Sequence, residues 1–180
     1  MEQPTVTLMR ALDFAARRHA GQRRKGASDT PYINHLAEVA NLLAEATGGA
    51  DTNLVAAGLL HDAVEDTDVT KEEIAQAFGD DVAALVAAVS DDKSLPKAER
   101  KRLQIETAAG KSDRAKMLKI ADKTSNLGGI ANDPPHDWPA ERKREYIEWA
   151  KSVVDRCRGA SPDLEARFDD AYATSVRSLE

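Results

Sequence analysis

With only one cysteine, Cys157, the chain can form no internal disulfide, and a reducing cytoplasm is the simplest setting for it. Aromatic residues are also scarce, at 4%. They do not cluster with β-branched residues, and no segment sustains polar–apolar alternation, so strands have almost nothing to build on. The longest unbroken apolar run, Val82 to Val89, falls far short of the ~20 residues that span a bilayer. No membrane association is expected. The amino terminus places an acid at Glu2 and an arginine inside its apolar segment, which argues against a secretory leader. Positive charge is in deficit too: a net charge of −6 disfavours a nucleic-acid coat, which needs many cationic contacts to phosphates. An aromatic-studded basic groove for single strands is missing as well.

The 180 residues fit one globular domain, and 42% hydrophobic content supplies a core. Helical periodicity dominates, and about nine helices are expected in a single all-α domain of residues 1–180. Its core would cover about 8–158, with a last helix at about 161–179. Local signals place the boundaries. Thr30-Pro31 reads as an N-cap with proline in the first helical position, opening a helix that stops at Gly48-Gly49. Asp51 caps a helix carrying LLHDAVED, and Thr70 with Glu73 makes a capping box. A helix from Ser112 is expected to stop at Gly128-Gly129, and Ser161-Pro162 opens the last one. Cations gather at Arg23-Arg24-Lys25, at Lys97 with Arg100-Lys101-Arg102, and at Arg142-Lys143-Arg144. Such clusters on helices are ordinarily solvated faces, though they also suit a small, highly anionic ligand.

Chemistry enters at LLHDAVEDT, Leu59 to Thr67, where His61, Asp62, Glu65 and Asp66 interrupt core residues. Helical spacing stacks His61 over Glu65 and Asp62 over Asp66. Three carboxylates packed this closely repel one another unless a cation joins them. The further ligands come from two similar anomalies. His35 lies among Ile33, Leu36 and Val39, and Asp122 lies within MLKIADKTSNL. A lone histidine there is ordinarily a satisfied core residue, and a buried aspartate without a partner costs several kcal/mol. Three such anomalies on three apolar helices add up to His35, His61, Asp62 and Asp122. That nitrogen and oxygen set suits manganese, iron or zinc with open positions, while the lack of thiolates argues against a structural zinc site.

The HD pair, with a histidine 26 residues upstream (61 − 35) and an aspartate 60 residues downstream (122 − 62), resembles the HD superfamily of metal-dependent phosphohydrolases. The stretches RRKGASDTPYINHLAEVANLL, LLHDAVEDTDVT, AKMLKIADKTSNL and REYIEWAKSVV resemble the hydrolase domain of the RelA/SpoT family. The likeness, across roughly Leu8 to Arg158, is strongest to the stand-alone small alarmone hydrolases, which include the metazoan SpoT homologue. The resemblance implies an all-α enzyme that uses one Mn2+ per chain to remove pyrophosphate from the 3′ position of (p)ppGpp, with His35, His61, Asp62 and Asp122 as ligands. Zinc and iron are alternatives. It further implies that Glu65 and Asp66 position and deprotonate the attacking water. Arg24, Lys25, Tyr32 and Asn126 would lie beside the nucleotide, and Lys97, Arg142 and Tyr146 would gather phosphates at the rim. One departure stands out: Ser125 precedes Asn126, and Gly128-Gly129 follows Leu127, where relatives commonly carry an aromatic or histidine and then an arginine.

No synthetase domain is expected within this length. Two competing functions follow from the same residues. A related hydrolase would act on the 2′-phosphate of NADPH or on an adenosine alarmone such as ppApp. A sensing module would bind without cleaving, but such a module has no reason to keep all six of His35, His61, Asp62, Glu65, Asp66 and Asp122. The expected partner is a small nucleotide; oligomeric state is not legible.

Overall fold

A computed structural model describes residues 3–180; Glu2, weighed above against a leader, lies outside them. Helices account for all the regular structure among the described residues, apart from an isolated bridge between Arg23 and Pro31. Among the described residues ten helices follow in order: α1 (Pro4–Arg18), α2 (Ile33–Thr47), α3 (Thr52–Leu60), α4 (Ala63–Asp66), α5 (Lys71–Phe78), α6 (Asp80–Val89), α7 (Lys97–Ala108), α8 (Asp113–Asn132), α9 (Ala140–Asp155) and α10 (Pro162–Arg177). None of the described helices is long and apolar enough to cross a membrane.

The centre of the fold is α3. Every residue from Leu54 to Leu60 is buried, and a helix that is apolar all round must be enclosed. Its neighbours are α1, α2, α6 and α8. At Gly58 a side chain is excluded by contact: a Cβ there would lie 2.9 Å from Leu43 Cδ1 and 3.1 Å from Ala40 Cα. Thus α2 and α3 cross almost backbone to backbone. On the far side α8 packs against α2, α9 and α10. Leu164 and Phe168 of α10 enter the same hydrophobic cluster, and Ser175 Oγ donates to Leu127 O at 2.8 Å.

The local caps form as read. Asp51 accepts from Leu54 N at 3.0 Å, Thr70 and Glu73 close their capping box, and Ser112 and Ser161 cap α8 and α10. Three expectations are corrected. The helix carrying LLHDAVED is two helices, α3 and α4, with His61 and Asp62 at the break, which adds one helix to a count otherwise in line with the roughly nine expected. At that break the Gly58 carbonyl, left without a full helical partner, accepts instead from His61 Nδ1 at 2.8 Å. Second, α2 begins at Ile33, not at Pro31. Pro31 closes a loop against Arg23, with Arg24 N donating to Thr30 O at 2.8 Å and Tyr32 N to Gln22 O at 3.1 Å. Third, α8 runs through Gly128 and Gly129 to Asn132. Glycine costs a helix about 1 kcal/mol relative to alanine, and packing of α8 against α10 offsets that. Gly129 has its own steric reason: a Cβ there would lie 2.7 Å from Arg24 Nη2.

Candidate metal centre and its cleft

Three packed elements converge on one point. His35 stands in the first turn of α2, His61 and Asp62 occupy the break between α3 and α4, and Asp122 lies within α8. His35 Nε2 is 3.6 Å from Asp62 Oδ2 and 3.4 Å from Asp122 Oδ1. His61 Nε2 is 3.1 Å from Asp62 Oδ2 and 3.8 Å from Asp122 Oδ1. Ligand atoms of His35, His61 and Asp62 form a mutually close group, and Asp122 reaches it from the side of the imidazoles. Both Nε2 atoms are buried without a hydrogen-bond partner. A buried polar atom left unpaired costs about 1–3 kcal/mol, and two facing the same carboxylates mark a place shaped for a cation. The residues present therefore fit a divalent metal ion.

The electrostatics agree. Burial opposes charge on Asp62, but His61 and His35 outweigh it and hold the carboxyl well below the usual range. Burial likewise opposes charge on His61, yet Asp62 raises its imidazole to about 9. Asp122, also opposed by burial, is held low by Lys123 and the two imidazoles. This cluster attracts positive charge, whether proton or metal ion. Its edges are pinned: Tyr32 donates through its hydroxyl to Asp62 Oδ2 at 2.6 Å, Lys123 Nζ to Asp122 Oδ2 at 2.8 Å, and Asn126 Nδ2 to Asp122 Oδ1 at 2.6 Å.

A cleft of about 730 Å³ opens over this point, with His61, Asp62 and Asp122 in its lining. Glu65 and Asp66 line it one turn along from the HD pair. Glu65 accepts from Asp91 N at 3.1 Å and faces Arg100 at 3.7 Å. Burial raises its carboxyl, with the nearby Asp91 and Asp62 charges adding to the rise. Asp66 is paired with Lys93 at 2.8 Å. Lys25, Tyr32, Lys97, Asn126, Arg142 and Tyr146 also line the cleft. Lys97 is lowered by burial and then by Arg142, Lys25 and Arg100, a sign of how closely these cations gather. Arg142 lies over the Trp138 ring at 4.3 Å. Tyr146 sits between Trp138 and Trp149, with centroids at 5.6 and 5.3 Å, and burial pushes its hydroxyl up to about 12. Of the residues expected to meet substrate, Arg24 stands apart, lining an adjoining cavity of about 500 Å³ that shares Lys25, Tyr32 and Asn126, among others, with the first.

Sequence reasoning missed several groups here. Lys123 is buried against Asp122, and Lys119 is buried too, lowered by that burial to about 8. Lys101 sits over the Trp149 ring at 4.7 Å. A lysine beside an acid on a helix reads as a solvated pair, so only the depth of α8 distinguishes Lys123. A stronger signal was available at Trp138 and Trp149, two of very few aromatics.

Comparison with known proteins points the same way. Residues 11–148 match the HD domain family. The chain is 46% identical over 169 residues to the Drosophila melanogaster guanosine-3′,5′-bis(diphosphate) 3′-pyrophosphohydrolase MESH1, covering 94% of each chain. To the Homo sapiens protein of the same name it is 47% identical over 165 residues, covering 92% of each. A solved structure described as a metazoan orthologue of SpoT that hydrolyses ppGpp and plays a role in starvation responses superposes with a TM-score of 0.92, at 44% identity and 100% coverage of both chains. With its HD pair at a helix break beneath a cation-lined cleft, this chain belongs to the HD-domain family and, within it, to the SpoT-related hydrolases.

Proposed function

We propose that this protein is a metal-dependent guanosine-3′,5′-bis(diphosphate) 3′-pyrophosphohydrolase acting as a single domain, with one Mn2+ as its cofactor in the cytoplasm. The observation that carries the reading is the pair of buried, unpartnered Nε2 atoms of His35 and His61 facing Asp62 and Asp122. Near-full-length likeness to the fly and human 3′-pyrophosphohydrolases supports the substrate.

In this reading His35, His61, Asp62 and Asp122 hold the ion. When bound, it supplies Lewis acidity, offsetting phosphate charge and making water more acidic. The chain's own residues do the rest. Water attacks the phosphorus joined to the 3′ oxygen, the bond between that oxygen and phosphorus breaks, the 3′ oxygen takes up a proton from solvent, and GDP and pyrophosphate leave. Glu65 accepts the proton from the attacking water; its raised carboxyl brings it nearer the range in which a base works best at neutral pH. Asp66, held by Lys93, positions the same water. Asn126 and Lys123 orient the Asp122 carboxylate, and Tyr32 orients Asp62. Arg24, Lys25 and Tyr32 receive the nucleoside, while Lys97, Arg142 and Tyr146 receive its phosphates.

The test is direct. Purified protein with Mn2+ should convert ppGpp to GDP and pyrophosphate, with kcat/KM for ppGpp and pppGpp well above that for ppApp or NADPH. Cleavage of NADPH or ppApp in preference to ppGpp would overturn the substrate, and binding without turnover would favour a sensor.

A further inference from the structure

Ser125, on α8 between Asp122 and Gly128, is fully buried. Its hydroxyl meets three partners. It donates to Glu38 Oε2 at 2.6 Å, and it lies 2.8 Å from His35 Nδ1 and 3.4 Å from Arg24 Nη1. A hydroxyl has one hydrogen to give and two lone pairs. The carboxylate of Glu38 takes the hydrogen, and the guanidinium of Arg24, which can only donate, takes one lone pair. The remaining lone pair faces His35 Nδ1, so that nitrogen must carry the hydrogen of the bond. The Nε2 of His35, beside Asp62 and Asp122, is then the nitrogen left to face a metal ion.

We propose that Ser125 and Glu38 are positioning residues for His35, a hydroxyl–carboxylate relay that fixes which ring nitrogen is protonated and turns the other toward the metal, with Arg24 docked on the same oxygen. The inference rests on His35 being a ligand. His61 Nδ1 is anchored by a different route, donating to the Gly58 carbonyl at 2.8 Å, so the two imidazoles are oriented independently. Because Arg24 shares the Ser125 oxygen, the nucleotide side and the metal side of the cleft meet at one atom. Partners of this kind typically change metal affinity 10–100-fold when removed.

The experiment uses the full chain with Zn2+ alone, a diamagnetic probe. Wild type should bind one ion, and both imidazole Nδ1–H protons should appear downfield and slow to exchange by NMR. In Ser125→Ala the His35 proton should be lost while the His61 proton, an internal control for folding, persists, and Zn2+ affinity should fall about tenfold or more. Ser125→Thr, which keeps the hydroxyl, should return affinity to within about threefold of wild type. Glu38 is exposed, so Glu38→Ala should fold normally; freeing the hydroxyl to rotate should speed exchange of the His35 proton and weaken Zn2+ binding severalfold. A Ser125→Ala protein that keeps both protons and binds Zn2+ within twofold of wild type overturns the relay. A Glu38→Ala protein indistinguishable from wild type removes Glu38 from it. Wild type that binds no ion at all overturns the metal centre itself.

Discussion

The metal end and the rim of the cleft are built by opposite means. At the metal end His35 and His61 are buried, Asp62 and Asp122 nearly so, and each is held by a neighbour of fixed geometry. At the rim, long cationic side chains lean on aromatic faces, as Arg142 does on Trp138 and Lys101 on Trp149. The first region sets atoms within an ångström or so, whereas the second supplies charge over a broad surface. Chemistry needs the former and capture of a polyphosphate needs only the latter.

If that division is right, breaking the metal end should cost most. Asp62→Ala should abolish stoichiometric Mn2+ binding and lower kcat/KM for ppGpp by ~10³ or more, since Lewis-acid stabilisation is worth several kcal/mol; isothermal titration and steady-state rates check both. Next, Glu65→Gln should lower kcat by ~10²–10⁴, the usual contribution of a general base, with Mn2+ affinity little changed. An equal loss of metal binding would move Glu65 from water to ion. At the rim, Lys97→Ala should raise KM about tenfold and leave kcat nearly intact, because a charge-assisted contact is worth about 1.5–3 kcal/mol. Its KM should also depend less on salt than that of the wild type.

The smallest effect concerns a charged cluster that belongs to neither region. Arg114 binds Asp51 at 2.7 Å and Asp81 at 2.9 Å. The hydrogen bond from Arg114, followed by that from Asn53, lowers the Asp81 carboxyl. A carboxyl lowered by folding contributes stability that is present above its unfolded pKa, roughly 4, and is lost as the pH falls through its folded value. The urea midpoint of Asp81→Asn should therefore fall less steeply below about pH 4 than that of wild type. Because Asp81 is half exposed, the difference should be slight, and activity at neutral pH should not change.

The same contrast explains what the sequence makes legible. A histidine or aspartate inside an apolar helix is anomalous wherever it stands, so His35, His61, Asp62 and Asp122 announce themselves. Caps at Asp51, Thr70 and Ser161 are equally readable, because their partners lie three residues on. The rim is harder, since Lys97 or Arg142 looks like any solvated cation until α7 and α9 are seen to flank one cleft. Two misreadings have a common cause. Neither the break at His61 nor the continuation of α8 through Gly128-Gly129 follows from local propensity; a side-chain bond to Gly58 decides one and packing against α10 the other. Ser125 reads as a mere loss of bulk because its three partners come from residues far apart in the chain.

The bare crossing at Gly58 ties catalysis to architecture. His35 belongs to α2 and His61 follows directly on α3, so the spacing of the two imidazoles is inherited from how closely those helices touch. Any methyl group wedged there would pry the two imidazoles apart without touching either. The interior and the cleft are thereby coupled: the hydrophobic scaffold acts as the gauge that sets the distance between the two imidazoles.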